Sequence, residues 1–125
     1  MSEPTIEQQR ASAAWHAVTQ EVKGQGFAHE YSTLAKGAPA DIQTNGLGQT
    51  LAFWYAKGNK ERAHACLFGH VSGWVLKQVD PAATDADLIA WICRVGSEEY
   101  RRATVEALAY LVWIKRFAEA ELGDG

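Results

Sequence analysis

The sequence predicts an all-α protein, folded as a single compact bundle of about six helices over residues 1–125. No segment alternates polar and β-branched residues as a half-buried strand does. The good helix formers Ala, Leu, Glu, Gln, Lys and Arg outnumber the β-branched residues, and start and stop signals divide the chain into pieces of helical length. A length of 125 residues, 47% of them apolar and 22% charged, is typical of one globular domain.

The first helix is predicted to begin after Thr5, because Thr5 and Gln8 have the spacing of a capping box. We expect Gly24 and Gly26 to end it. The apolar stripe of this helix is predicted at Ala11, Trp15, Val18 and Val22.

The next two helices are predicted on either side of Gly37 and Pro39, which are expected to stop a short helix over about residues 28–36. A third helix then runs from Ala40 to Lys57. Its apolar positions are Ile42, Leu47, Leu51 and Trp54.

The fourth helix is predicted over residues 60–79, capped by Asn59 and ended by Asp80 and Pro81. Small residues recur at every fourth position of this helix and predict a smooth ridge that another backbone can approach closely. They are Ala65, Gly69 and Gly73.

Two further helices complete the predicted bundle. Thr84 and Asp87 open a short helix to Val95, and Ser97 caps a last helix that ends near Leu122. Two glutamates follow Ser97 in the first turn, where the helix dipole favours negative charge.

Gly46 and Gly48 raise the question of a phosphate-binding loop. Such a loop lies between a strand and a helix and carries a third glycine or a lysine-serine ending. This stretch has no upstream strand, no third glycine and no lysine-serine ending. We therefore interpret the two glycines as a tight helix junction or a close packing point. The aromatic run 53–55 sweeps about 200° around a helix, so at least one ring faces away from the core. The tryptophans are interpreted as core anchors first and base-stacking platforms second; they are Trp15, Trp54, Trp74, Trp91 and Trp113.

No catalytic, metal or cofactor site is predicted. The four histidines share no zinc-like spacing with Cys66 or Cys93, which are expected to be buried free thiols. There is no GxSxG elbow, and Glu98 and Glu99 are adjacent and so cannot act as a pair of carboxylates. Single acids such as Glu106 stay open as catalytic residues, although nothing singles one out. The N-terminus is polar, and the longest apolar run, residues 107–114, is too short to cross a bilayer. Both observations predict a cytoplasmic protein.

The net charge of −3 does not draw the chain toward nucleic acid, so any such contact depends on local clusters of its basic residues. One cluster lies on the last helix, at Arg101, Arg102, Lys115 and Arg116. A second lies between the third and fourth helices, at Lys57, Lys60 and Arg62.

The last helix is apolar on two faces. Its core-facing stripe is predicted at Tyr100, Ala103, Ala107, Tyr110, Leu111, Ile114, Phe117 and Ala118. Val105, Leu108 and Val112 lie nearly opposite, between basic ends about 21 Å apart at 1.5 Å per residue. Either the second face docks on another molecule while its cations touch a polyanion, or the helix is buried centrally with solvated ends.

The chain resembles the small helical subunit of the Cmr complex, the type III-B CRISPR effector, over nearly its whole length. The resemblance rests on the order and spacing of several short pieces. They are Arg10-Ala11, Glu30-Tyr31, Pro39, Ile42, Asn45-Gly46-Leu47, Thr50-Leu51-Ala52-Phe53, Tyr100-Arg101, Thr104, Glu106-Ala107, Trp113 and Lys115-Arg116-Phe117.

The resemblance implies a helical bundle without a catalytic centre. Several copies would stack as a minor filament beside the backbone subunits and help to hold guide and target RNA, while other subunits cut the RNA. The pieces that carry the resemblance are mostly core and turn residues, so the basic residues named above are chosen from the charge pattern alone.

Three hypotheses follow. The first is a noncatalytic subunit of an RNA-guided antiviral ribonucleoprotein, whose partners are other Cmr subunits, further copies of itself, guide RNA and target RNA. It has no cofactor, membrane or small-molecule substrate. The second is a protein-interaction module that docks through Val105, Leu108 and Val112 without touching RNA. The third, an enzyme, has only an isolated acid or histidine to support it.

Overall fold

The computed structural model describes residues 2–123; Met1, Asp124 and Gly125 lie outside the described residues. Within that range the chain forms six α-helices and no strand, as the sequence predicts. The helices are α1 (Ile6–His16), α2 (Ala28–Asn45), α3 (Leu47–Lys57), α4 (Arg62–Val79), α5 (Leu88–Ile92) and α6 (Ser97–Leu122). None of the described helices is both long and apolar enough to cross a membrane.

The start of α1 is as predicted. The Gln8 amide donates to Thr5 Oγ1 at 3.1 Å, and Gln8 Oε1 accepts from the Thr5 amide at 2.7 Å. After His16 the chain widens into a π-helical segment, Ala17–Val22, so the regular spacing of 100° per residue fails there. Trp15 is consequently 47% exposed and contacts Phe117 edge-on at 5.1 Å, and its prediction as a core anchor is wrong.

The predicted stop at Gly37 and Pro39 is wrong, because α2 continues through both residues to Asn45. A proline inside a helix costs about 3 kcal/mol. The helix nevertheless continues because it buries a stripe that packs chiefly against α6. This stripe consists of Tyr31, Ala35, Ala38 and Ile42.

The junction between α2 and α3 lies at Gly46, whose φ of 88° suits glycine. A Cβ at Gly48 would lie 3.3 Å from Tyr100 Oη and 3.4 Å from Ile92 Cδ1. The interpretation of these two glycines as a helix junction or a packing point is confirmed, but the continuous third helix predicted from Ala40 to Lys57 is wrong, since the chain breaks at Gly46. The aromatic run also behaves as expected, since Trp54 is buried while Phe53 and Tyr55 are 53% and 57% exposed.

The predicted features of α4 are partly wrong. Asn59 does not cap it; the helix begins two residues later, after Glu61, and the Asn59 side chain bonds to a carbonyl of the preceding helix. The predicted ridge is a packing surface only at Ala65, where a Cβ on Gly58 would lie 3.1 Å from Ala65 Cα. A Cβ at Gly69 or Gly73 would meet no neighbouring element of the described chain within 4 Å.

The last two helices differ from the prediction at their starts, and α5 also ends at Ile92 rather than at Val95. Asp87, not Thr84, caps α5 by accepting from the Ala90 amide at 2.9 Å. Ser97 is the first residue of α6 and makes no capping bond. The helix ends at Leu122, as expected.

The core lies around α6, which packs against α1, α2 and α4. Trp54 and Trp91 are buried anchors, and Trp74 and Trp113 are half-buried. Both cysteines are free, but Cys66 is half-buried and Cys93 is exposed, so the prediction of two buried thiols is wrong.

Candidate functional site

The outward face of α6 is defined here by Val105 and Val112 together with the cations at its two ends. Val105 is 56% exposed and Val112 47% exposed. Leu108, predicted to lie between them on the same strip, is half-buried and packs against the core. The strip is therefore interrupted in the middle, and it presents two separate apolar contacts to the outside.

At the N-terminal end of α6, Arg101 and Arg102 are both exposed. Arg101 Nη2 lies 2.9 Å from Glu98 Oε1, in a pair that is open to solvent. Arg102 makes no side-chain hydrogen bond or ion pair within residues 2–123. A groove of about 410 Å³ runs beside these arginines, lined by Ile6, Gln78, Val79, Arg101, Arg102, Val105 and Glu106.

At the C-terminal end, Lys115 and Arg116 are exposed and have no ion-pair partner among the described residues. Arg116 lines two grooves, one on each side of Val112. The first is lined by Glu7, Arg10, Ala109, Val112, Trp113 and Arg116, and the second by Pro39, Val112, Lys115, Arg116 and Glu119. Free cations therefore stand beside an exposed apolar side chain.

The second basic group is less available. Lys57 Nζ lies 3.5 Å from Glu61 Oε2 and 5.9 Å from the centre of the Phe53 ring. The Arg62 guanidinium lies over the ring of Phe27 at 4.7 Å. Lys60 is the member of this group without a side-chain partner in the described part of the chain. The outward face of α6 thus holds more unpaired positive charge than the α3–α4 turn.

Glu106 is a buried structural acid whose role the sequence pattern does not single out. Arg10 donates to it through Nε at 2.8 Å and Nη2 at 2.9 Å, and Trp74 Nε1 donates at 2.9 Å. Burial tends to raise the pKa of Glu106, but the hydrogen bonds from Arg10 and Trp74 outweigh it and hold the pKa below its usual range. One sequence feature could have indicated its burial: Glu106 lies one helical turn from both Ala103 and Tyr110, on the apolar stripe.

A second network, which runs from the buried Tyr31 through His70 to the exposed Glu21, also has no signal in the sequence. His70 Nε2 lies 2.8 Å from Glu21 Oε1, and His70 Nδ1 lies 2.7 Å from the Tyr31 hydroxyl. Because a carboxylate only accepts, Nε2 carries the proton and Nδ1 accepts from Tyr31. Burial lowers the pKa of His70 and raises that of Tyr31. This network joins the π-helical segment to α4 and α2.

Cys66 lies beside this histidine, with Sγ 3.8 Å from His70 Nε2, but it is not an activated nucleophile. Burial raises the pKa of its thiol to about 11, and the nearby Glu21 acts in the same direction. His70 is already bonded on both nitrogens, so neither is free to take the thiol proton. Among the described residues no group of three or more His, Cys, Asp or Glu side chains could hold a metal ion.

Comparison with known proteins places the chain in a family. A family model described as CRISPR-associated protein (Cas_Cmr5) matches residues 6–121. A protein of Thermus thermophilus named CRISPR system Cmr subunit Cmr5 is 34% identical over 114 residues, which cover 88% of this chain and 90% of the relative. This chain belongs to the Cmr5 family. The crystal structure of a CRISPR-associated Cmr5 family protein from the same organism matches with a TM-score of 0.77 at 29% identity, over 94% of this chain and 98% of the other.

Membership of the Cmr5 family confirms the resemblance to the small Cmr subunit, and the structure shows what several of its pieces do. Arg10 and Glu106, 96 residues apart, form the ion pair that joins α1 to α6. The Tyr100 hydroxyl accepts a hydrogen bond from the Gly48 amide at 2.8 Å, beside the α2–α3 junction. These contacts hold the helices together, whereas the pieces Tyr100-Arg101 and Lys115-Arg116-Phe117 also contribute exposed cations to the outward face of α6.

Proposed function

We propose that this chain is a noncatalytic small subunit of a type III-B CRISPR (Cmr) ribonucleoprotein, in which copies stack as a minor filament and help to hold guide and target RNA in antiviral defence. Support comes from its family and from one surface observation. The outward face of α6 combines Val105 and Val112, both exposed, with Arg102, Lys115 and Arg116, which have no ion-pair partner in the described chain.

The cations would act as phosphate contacts without reading base sequence. Their spacing supports this role, because α6 is one unbroken helix and the two basic ends are about 21 Å apart along it. An extended RNA backbone could contact both ends while the two valines meet a protein neighbour. Such a division, with apolar side chains inside and cations at the rim, is usual in interfaces.

The test is the salt dependence of target-RNA binding by the assembled complex. Replacing Arg101 and Arg102 by alanine should reduce the slope of log affinity against log salt by roughly 0.7 per lost phosphate contact. Lys36→Ala, a charge change on α2 rather than on α6, is the control. An unchanged slope in the double variant would remove these two arginines from the RNA interface.

A second candidate is a protein-interaction module that makes no RNA contact, which the exposure of the two valines also supports. Val112→Glu tests it better than a change at Leu108, because Leu108 packs on the core and its replacement would destabilise the monomer. Loss of assembly in Val112→Glu, together with an unchanged salt slope in the arginine variant, would favour docking alone.

The noncatalytic role rests on the chemistry of the two strongest candidate groups. The thiol of Cys66 is protonated near neutral pH, and the carboxylate of Glu106 is occupied by Arg10 and Trp74. Purified protein incubated with labelled RNA and a divalent metal should therefore leave the RNA intact. Cleavage that disappears in a single acid-to-amide variant would contradict the proposal.

A further inference from the structure

A groove between α2 and α3 combines one exposed aromatic ring with three unpaired polar side chains. It has a volume of about 560 Å³ and is lined by Asp41, Asn45, Gln49, Thr50 and Phe53. This volume falls within the roughly 300–1,000 Å³ that is usual for small-molecule sites. None of the residues on the outward face of α6 takes part in it.

The helix junction creates this groove. Asp41 and Asn45 are four residues apart on α2, and Gln49 and Phe53 are four residues apart on α3, so each pair shares one face of its helix. The break at Gly46, with its φ of 88°, turns the chain so that both faces line one space. Thr50 is buried at the floor, where its hydroxyl donates to the Gly46 carbonyl at 2.9 Å.

The polar side chains of the groove are available to a ligand. Within residues 2–123, Asp41, Asn45 and Gln49 make no side-chain hydrogen bond or ion pair, and all three are exposed. The two amides each offer a donor and an acceptor, while the carboxylate only accepts.

The ring of Phe53 is held in place but leaves much of its surface open. His64 contacts it edge-on, with ring centres 5.9 Å apart, and Lys57 Nζ lies 5.9 Å from its centre. The side chain is nevertheless 53% exposed, although phenylalanine is among the residues most often buried. An exposed aromatic ring suits the stacking of a nucleobase. Lys57 pairs with Glu61 at 3.5 Å, but this pair is open to solvent and the lysine lies near enough to the ring to contact the phosphate of a stacked nucleotide.

We propose that this groove binds an unpaired RNA base bearing an exocyclic amino group, stacked on Phe53 and hydrogen-bonded by Asp41, Asn45 and Gln49. This inference rests on the proposed function, because it requires that the chain meets RNA. The amino group is specified by Asp41, since a carboxylate accepts N–H donors and repels the carbonyl oxygens of a base edge. Uracil has no exocyclic amino group and should bind less well.

The experiment uses the full chain, labelled with ¹⁵N and titrated with cytidine and uridine decamers while backbone amide shifts are followed. Shifts within residues 41–53 are expected, at lower concentrations of the cytidine decamer than of the uridine decamer. Phe53→Ala should weaken this local binding at least about fivefold, the effect usual for loss of a stacking ring. Phe53→Trp should retain it.

Two variants control the interpretation. Tyr55→Ala removes an equally exposed ring from the same helix that does not line the groove, so it should bind the cytidine decamer as the wild type does. Asp41→Asn should abolish the preference for cytidine over uridine, because the amide offers a donor as well as an acceptor. All of these side chains are exposed, so circular dichroism should show the native fold in every variant.

The outcomes separate this site from the proposed function. If Phe53→Ala binds as the wild type does while Arg101→Ala with Arg102→Ala weakens binding, the base site is refuted and RNA contact through α6 stands. If the wild type shows no shift within residues 41–53 at millimolar RNA, the base site is also refuted, and the salt-slope experiment on the complex still decides RNA contact. If Phe53→Ala instead prevents assembly with Cmr subunits, the groove is a protein contact and the inference is wrong.

Discussion

Replacing Arg10 by alanine should destabilise the protein strongly, because it leaves the buried carboxylate of Glu106 with Trp74 as its one remaining side-chain donor among the described residues. The side chains of Arg10 and Glu106 are 17% and 11% exposed. Breaking a buried pair by removing one partner costs about 3–5 kcal/mol, and the residual exposure of Arg10 favours the lower end. With an unfolding entropy of about 2.1 cal/mol/K per residue, a loss of about 3 kcal/mol in this 125-residue chain lowers the Tm by about 11 °C.

Thermal unfolding followed by circular dichroism, with urea titration for the free energy of unfolding, measures the effect. Arg101→Ala is the matched control, since its pair with Glu98 is exposed on both sides and its loss should leave the Tm unchanged. The double replacement Arg10→Met with Glu106→Leu should cost less than Arg10→Ala, because no charge stays buried. If Arg10→Ala lowers the Tm by less than about 4 °C, the pair behaves as a surface ion pair and the reasoning is wrong.

The same ion pair predicts a pH dependence. The pKa of Glu106 is lower in the folded protein than in the unfolded chain, so this residue stabilises the fold above the unfolded pKa of about 4.3. That stabilisation is lost as the pH falls through the folded pKa, where the carboxylate takes up a proton. Glu106→Gln should therefore show a smaller loss of stability between pH 6 and pH 3 than the wild type does.

Three further predictions follow from single contacts. Tyr100→Phe removes the acceptor of the Gly48 amide, which lies in the first turn of α3 and has no helical partner. The free energy of unfolding, measured by urea titration, should fall by about 1 kcal/mol. Cys66, whose pKa is raised to about 11, should react with iodoacetamide at pH 7.5 far more slowly than the exposed Cys93; equal rates in a mass-spectrometric time course would contradict its burial. Burial lowers the pKa of His70, so its neutral form stabilises the fold above the unfolded pKa of about 6.5. The Tm should therefore fall as the pH drops below that value. A His70→Gln variant should lose this part of the pH dependence.

Local rules predicted those parts of the fold that depend on neighbouring residues. The capping box of Thr5 and Gln8 involves residues three apart, and the junction at Gly46 follows from the φ that glycine permits. The core stripe of α6 depends on helical spacing alone. Each of these features is settled within one or two helical turns, so a single sequence suffices to find it.

The failures share a different cause. A sequence places Pro39 at a helix boundary because of its own backbone, but the contact of the α2 stripe with α6, about 70 residues away, overrides this preference. Regular spacing puts Trp15 on the apolar stripe of α1, but the π-helical segment interrupts that spacing. Nothing next to Glu106 in the chain marks its ion pair, because its partner Arg10 is 96 residues away. In the candidate site, helical spacing predicts that Val105 and Val112 face outward, and both are exposed. The packing of Leu108 on the core depends on neighbouring helices, which this spacing does not describe.

The Arg10–Glu106 pair also bears on the proposed RNA contact, because it holds α1 beside the outward face of α6. The groove beside Arg116 is lined by Glu7, whose Oε1 accepts from Trp113 Nε1 at 3.3 Å. An anion in that groove meets Glu7 as well as Arg116, so the acid opposes the contact. Glu7→Gln keeps the acceptor for Trp113 and removes the charge, so it should tighten RNA binding by the complex at low salt. This gain should fade at high salt, because the screening length falls to about 3 Å at 1 M. An affinity equal to that of the wild type at low salt would mean that RNA does not pass between α1 and the C-terminal end of α6.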